Sequence, residues 1–151
     1  MLAAIRVRGS VDLKKEIKHT MRMLRLDRVN HLVLVEEKQK NMLKKAQHYL
    51  TFGEISQETL EKLLKKRARL SGNKRVDEKF LKASKIVSFN ELAKELIEGK
   101  KKLNDYKIKP VFRLHPPKKG YEREGIKKSF HIGGALGYRA NDINKLIERM
   151  I

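Results

Sequence analysis

Side chains do chemistry when they converge, and few groups in this chain can. They are five histidines (His19, His31, His48, His115 and His131), the adjacent acids Glu36 and Glu37, and the stretch Gly133-Gly134-Ala135-Leu136-Gly137. No pair of histidines brackets a glutamate as H-E-x-x-H, so the zinc-protease arrangement is absent. Scattered histidines in so basic a chain read as phosphate or base contacts or as plain surface. With no cysteine, disulfides, thiol catalysis, Cys-ligated zinc and iron–sulfur clusters are excluded. Consecutive strand residues face opposite ways, so Glu36 and Glu37 do not form an acid–base pair and read as solubilising a strand end. The glycine stretch matches neither G-x-x-x-x-G-K-[ST] nor G-x-G-x-x-G. It leaves two compatible readings: backbone N–H groups approaching a phosphate chain with Arg139 beside them, or a tight turn before the last helix. We expect no catalytic site, metal, cofactor or small-molecule substrate.

What remains is charge. The 151 residues carry 37 Lys+Arg against 18 Asp+Glu, a net charge of +19. Contact with phosphates releases condensed counterions, a gain that grows with each phosphate reached. An acidic membrane would call for one helix with a wide apolar face opposite its lysines, whereas the basic residues here run through the whole chain. No apolar run approaches the roughly 20 residues of a membrane span, and the N-terminus lacks a signal-peptide pattern. The expectation is an intracellular chain without membrane attachment, bound to nucleic acid. Aromatics are 6% of residues with no Trp, and Tyr49 and Phe52 lie in no RNP-like sequence. Phe52 is therefore expected in the core, and recognition by phosphate and shape rather than by base stacking.

The elements that must position these cations follow from periodicity. From Leu2 to Arg8 the residues alternate, with Ala3, Ile5 and Val7 on one side and Ala4, Arg6 and Arg8 on the other, as in a half-buried strand. Leu13, Ile17, Met21 and Leu24 then recur at helical spacing, with Ser10 as the expected N-cap and Asp12 at the positive end of the dipole. His31–Val35 reads as a second strand, Asn41 as the cap of a second helix, and Leu50–Gly53 as a third strand. This β-α-β-α-β order places helices on one sheet face. Ser56 caps a helix through Leu60, Leu63 and Leu64, and a short helix is expected around Glu78 to Ala83. Ser88-Phe89-Asn90-Glu91 is a capping box opening another. Pro110 to Arg139 is loop and turn, and a last helix carries Ile143, Leu146, Ile147 and Met150 behind Asn141 or Asp142. The expected division is a compact unit over 1–55 and a basic extension over 56–151.

Two groups of residues carry a family resemblance. Leu24-Arg-Leu-Asp-Arg-Val-Asn-His-Leu-Val-Leu-Val35 with Tyr49-Leu-Thr-Phe-Gly-Glu54 resembles the large-subunit ribosomal protein L-thirty family. Phe112-Arg-Leu-His-Pro-Pro-Lys-Lys-Gly120, Gly125-Ile-Lys and Gly133-Gly-Ala-Leu-Gly-Tyr-Arg139 are similar to the C-terminal extension of its archaeal long form, whose eukaryotic relative is called L-seven. The resemblance covers essentially the whole chain, and a shorter bacterial member would stop near residue 55. It implies an α+β fold: a ferredoxin-like β-α-β-α-β core with a three-stranded antiparallel sheet, first strand central, plus the basic extension. It also implies a structural constituent of the large ribosomal subunit in the cytoplasm. Its partners would be large-subunit rRNA and neighbouring large-subunit ribosomal proteins, and it would have no enzymatic activity.

On this reading Arg6, Arg8, Lys14, Lys15, Lys18, Arg22, Arg25 and Arg28 anchor phosphates from the first strand and helix, with Asn30 and His31 adding hydrogen bonds at the strand entry. Arg113, His115, Lys118, Lys119, Lys127, Lys128 and Arg139 do so from the extension. Tyr121-Glu122-Arg123-Glu124 departs from this basic pattern by placing two acids within the loop. The alternative from another class is a DNA-compacting chromatin protein, which the same charge would serve.

Overall fold

The first strand, β1 (Leu2–Arg6), is buried along its whole length rather than on alternate residues. The reason lies on both sides of it. The structure, a computed structural model, describes residues 1–11, 13–76, 80 and 88–151. Within these, β2 (His31–Val35) and β3 (Leu50–Glu54) flank β1, both antiparallel to it. Helices α1 (Lys15–Met23) and α2 (Lys40–Lys45) cover one face, where Met21 and Leu43 pack with Leu2, Ala4, Val33, Val35, Leu50 and Phe52. Helices α3 (Gln57–Arg67), α4 (Phe89–Ile97) and α5 (Ile143–Met150) cover the other face. There Leu60, Leu63, Leu64, Leu92, Leu96, Ile143, Leu146 and Ile147 surround Ala3, Ile5 and Leu32. The expectation of helices on one sheet face is thus corrected to helices on both, because the extension covers the second. Burying each such Leu or Phe contributes roughly 1.5–3 kcal/mol.

The sheet also grows at both edges. β4 (Val111–Arg113) pairs antiparallel with β2, and β5 (Gly137–Tyr138) pairs parallel with β3. The order is β4-β2-β1-β3-β5. The three-stranded antiparallel sheet is therefore corrected to a mixed five-stranded one with β1 still at its centre. The first three strands run as expected, and the pattern of the 110–139 region is too short and too broken by glycine and proline to announce two more. The α+β class holds. Close approach decides one glycine: a Cβ on Gly53 would overlap the Ala140 carbonyl oxygen, where the turn Ala140–Asp142 crosses β3.

Local signals fared unevenly. Ser56 Oγ accepts the Thr59 N–H at 3.3 Å and Ser88 Oγ accepts the Glu91 N–H at 3.2 Å, so both serines cap their helices. Ser10 is not a cap: α1 opens later, at Lys15, and the Ser10 hydroxyl instead accepts from Arg6. Asn41 lies inside α2, which begins at Lys40 after the turn Glu37–Gln39. Phe52 is buried as expected, 5.5 Å from the Tyr138 ring. The dipole role of Asp12 and the short helix around Glu78 to Ala83 lie outside the described residues, except for Phe80, which packs partly buried against the core.

Candidate nucleic-acid interface

Helix α1 buries Thr20 and Met21 and turns Lys14, Lys15, Lys18 and Arg22 to solvent. The helix ends where Arg25 takes a left-handed conformation (φ 59°), its N–H donating to the Arg22 carbonyl at 2.9 Å. Arg25 and Arg28 follow, both exposed. Asn30, also left-handed at φ 63°, closes the turn into β2 by donating its N–H to the Arg6 carbonyl at 2.8 Å. Its side chain does not reach outward: Asn30 Oδ1 accepts from the Tyr121 hydroxyl at 3.1 Å.

The β2–β4 pairing brings a distant stretch of chain to this end of the sheet. His31 stands opposite Arg113 in the register. Burial first, then the charge of Arg113, with Arg28 and Arg6 adding to it and Asp27 opposing, pushes the His31 imidazole below the ordinary histidine value. Its Nδ1 is buried without a hydrogen-bond partner among the described residues. Beyond Arg113 the loop is tethered by backbone hydrogen bonds: Leu114 N–H to Asn30, His115 N–H to Met150 and Lys118 N–H to Arg149, each at 3.0 Å. His115, Lys118 and Lys119 project from these tethers, exposed.

A third group sits beyond α2. Arg8 is half-buried, its guanidinium 5.0 Å from the centre of the Tyr49 ring and donating to the His48 carbonyl at 3.4 Å. Lys127 and Ser129 line a cleft with His48, His131 and Tyr138, of about 290 Å³. Lys128, next along, is held by Glu124 at 2.5 Å. Among the described residues, no carboxylate lies within ion-pair distance of Lys14, Lys15, Lys18, Arg22, Arg25, Arg28, Arg113, Lys118, Lys119 or Lys127. Exposed cations without internal partners keep their full charge for a polyanion.

Two expected anchors are placed otherwise. Arg6 is 3% exposed, and each of its three nitrogens is engaged: Nε with the Arg8 carbonyl, Nη1 with the carbonyls of Leu26 and Asp27 at 2.8 and 2.7 Å, and Nη2 with Ser10. Burial lowers its pKa while Asp27 works against that. Arg139, also 3% exposed, donates to Thr51 Oγ1 and the Ala135 carbonyl and clasps Glu122 through both terminal nitrogens. Phe130 covers it with its ring centre 4.6 Å away. Both arginines are corrected from surface contacts to internal tethers, because a guanidinium with five donors can bind several acceptors at once in a buried site.

The glycine stretch resolves the same way. The N–H groups of Gly133, Gly134, Ala135 and Leu136 donate to the carbonyls of Phe130, Ser129, Gly125 and Lys128. They are unavailable to a phosphate, so the tight-turn reading stands and the phosphate-cradle reading falls. Sequence reasoning missed Glu122 and Tyr121; the two acids in a basic loop were the available signal for Glu122. Among the described residues, no group of His, Asp and Glu could hold a metal ion, and no helix is long and apolar enough to cross a membrane.

With this geometry in place, comparison with known proteins adds the following. A sequence model of the family described as "Ribosomal protein L30p/L7e" matches residues 2–50. The chain is 53% identical over 151 residues to "Large ribosomal subunit protein uL30" of Methanococcus vannielii, covering 99% of this chain and 98% of that one. The protein of the same name from Nanoarchaeum equitans is 49% identical over 153 residues, covering 100% and 99%. That of Thermoplasma volcanium is 48% identical over 155 residues, covering 100% and 93%.

Proposed function

Since this chain belongs to the ribosomal protein L30p/L7e family, we propose that it is a structural constituent of the large ribosomal subunit, holding large-subunit rRNA through phosphate and shape contacts. The observation that carries the reading is likeness over nearly the full length of proteins named for that subunit, 53% identical across 98% of one of them. The alternative of a DNA-compacting protein has no support among those relatives. The unpaired exposed cations add a physical reason. On this reading the phosphate contacts are Lys14, Lys15, Lys18, Arg22, Arg25, Arg28, Arg113, Lys118, Lys119 and Lys127, with Arg8, His31, His115 and Lys128 at their margins. The protein supports translation in the cytoplasm as part of the ribosome, touches neighbouring large-subunit proteins, and catalyses nothing. On this reading residues 1–55 form one unit and 56–151 the extension, and the family match, over residues 2–50, falls within the first.

Sedimentation of a cell lysate through sucrose tests the reading. The protein should travel with the large subunit at moderate salt and be stripped only at high salt. Recovery of the native protein at the top of the gradient at both salts would refute it.

A further inference from the structure

Three short segments meet beyond the end of α3. Arg69 and Arg75 oppose each other in one antiparallel bridge, and Leu70 and Ile108 in another. The Leu70 N–H donates to the Lys74 carbonyl at 2.9 Å, and the Lys109 N–H to the Arg69 carbonyl at 2.8 Å. These contacts set a single register across the three segments. One row reads Lys74, Leu70, Ile108; the next reads Arg75, Arg69, Lys109. Ile108 is buried in the core and Leu70 packs against it. Adjacent residues of an extended segment point to opposite faces, so the row Arg75–Arg69–Lys109 lies on the face turned away from the core. Arg67, at the end of α3, stands close by: its Nη2 donates to the Ile151 backbone oxygen at 2.6 Å while its Nε is buried without a partner. Burial first, and then the charges of Arg69 and Arg75, lower the pKa of Arg67.

Like charges directly opposite on neighbouring strands are destabilising. Strands stand about 4.8 Å apart, so three cations in register make a rail about 10 Å long. Among the described residues, no carboxylate comes within ion-pair distance of Arg69, Arg75 or Lys109. The adjoining residues 77–87 carry two acids against three lysines. The exposed large hydrophobic residues among those described are Val11, Met23, Val29, Ile126 and Ile132, and none lies in these segments. The face therefore lacks the apolar centre of a protein interface. Arginine forks in a row match a chain of phosphates, each able to take two parallel hydrogen bonds.

We infer that the row Arg75–Arg69–Lys109, backed by Arg67, is a second rRNA phosphate-backbone site. It lies on the α3 side of the sheet, opposite α1, so the chain joins two RNA segments across its own thickness rather than resting on one. The inference rests on the ribosomal reading above and extends it to a surface that reading does not use.

The test uses the full chain and a set of overlapping transcripts of large-subunit rRNA, titrated across a salt series with hydroxyl-radical footprinting. The double variant R69Q/R75Q should bind at least tenfold more weakly, with a salt slope shallower by about two units. It should lose protection at one rRNA segment and keep a second, which K15Q/K18Q loses instead. Thermal melting of R75Q should show an unchanged or raised midpoint, since a repulsion has been removed, and this separates lost binding from lost folding. Unchanged affinity, slope and footprint for R69Q/R75Q would overturn the inference and leave only a solvated face, with the ribosomal reading intact. Loss of both protected segments together in R69Q/R75Q would also overturn it. If the unaltered chain preferred no rRNA transcript, the ribosomal reading would fail first and this inference with it.

Discussion

Arg139 and Glu122, seventeen residues apart, meet in a two-pronged clasp: Nη1 to Oε1 at 2.8 Å and Nη2 to Oε2 at 3.2 Å. The Arg139 side chain is 1% exposed and that of Glu122 21%. Arg149 donates to the same carboxylate at 3.2 Å, so one acid ties β5, its following turn and α5 to the loop before them. The pair explains why an acid stands in a basic loop: without it a guanidinium would be buried beside Thr51 with its charge uncompensated.

The first prediction follows from that asymmetry. Breaking a buried pair by removing one partner leaves the other charged and desolvated, so Glu122→Ala should cost about 3 kcal/mol in urea unfolding. Burial by itself would raise the Glu122 carboxyl. The hydrogen bond from Arg139, one from its own backbone, and the charges of Arg139 and Arg149 outweigh this and hold it below the ordinary glutamate value. A carboxyl depressed in the folded state lends stability that is complete above the unfolded value and is lost as pH falls through the folded one. Melting temperature followed from about pH 7 to about pH 3 should therefore fall less steeply for Glu122→Gln than for the unaltered chain. Parallel acid limbs would show that the clasp contributes nothing to stability.

Two arginine and lysine positions that look alike in sequence should behave oppositely. Arg6→Ala strands the buried Leu26 carbonyl and the half-buried Asp27 carbonyl and should destabilise by about 3 kcal/mol. Lys18→Ala, on the exposed face of α1, should leave the melting midpoint within about 0.5 kcal/mol of unchanged while weakening rRNA binding. Calorimetry and RNA titration on both variants check the pair. A stable Arg6→Ala with reduced RNA affinity would restore Arg6 to the surface contacts.

The tethered loop offers a third check. Lys118 is anchored by its backbone while its side chain, like that of Lys119, is exposed. Lys118→Ala with Lys119→Ala should reduce the salt slope of rRNA binding by about two units and leave folding alone. An unchanged slope would remove both lysines from the interface.

Gly134 gives a purely steric prediction. A Cβ there would overlap the Lys128 carbonyl oxygen, which itself accepts the Leu136 N–H. Gly134→Ala should destabilise by about 3 kcal/mol, measured by thermal or urea unfolding, whereas Gly120→Ala meets open space and pays only for its left-handed backbone.

How much of this was legible beforehand depends on the range over which each feature is determined. Helical periodicity placed Met21, Leu60, Leu63, Leu92, Leu96, Ile143 and Ile147 inward, and each is buried. Ser56 and Ser88 capped their helices because a cap is an interaction across three residues. Ser10 misled for an informative reason: its hydroxyl had a stronger claimant in Arg6, four residues back and buried. The alternation of β1 suggested one wet face, and that face turned out dry because the helices of the extension cover one side while α1 and α2 cover the other.

Composition and local pattern alone thus settled the strongly basic character of the chain, the order of its first three strands and two of its helix starts. Each of these follows from charge totals or from neighbours within one helical turn. Which cations face outward was decided only when the chain folded. Arg6 bonds a carbonyl 20 residues away and Arg139 a hydroxyl 88 residues away, and such acceptors draw a guanidinium inward only once tertiary packing has excluded water from around it. Lys15 and Lys18 met no such acceptor, so solvent kept them.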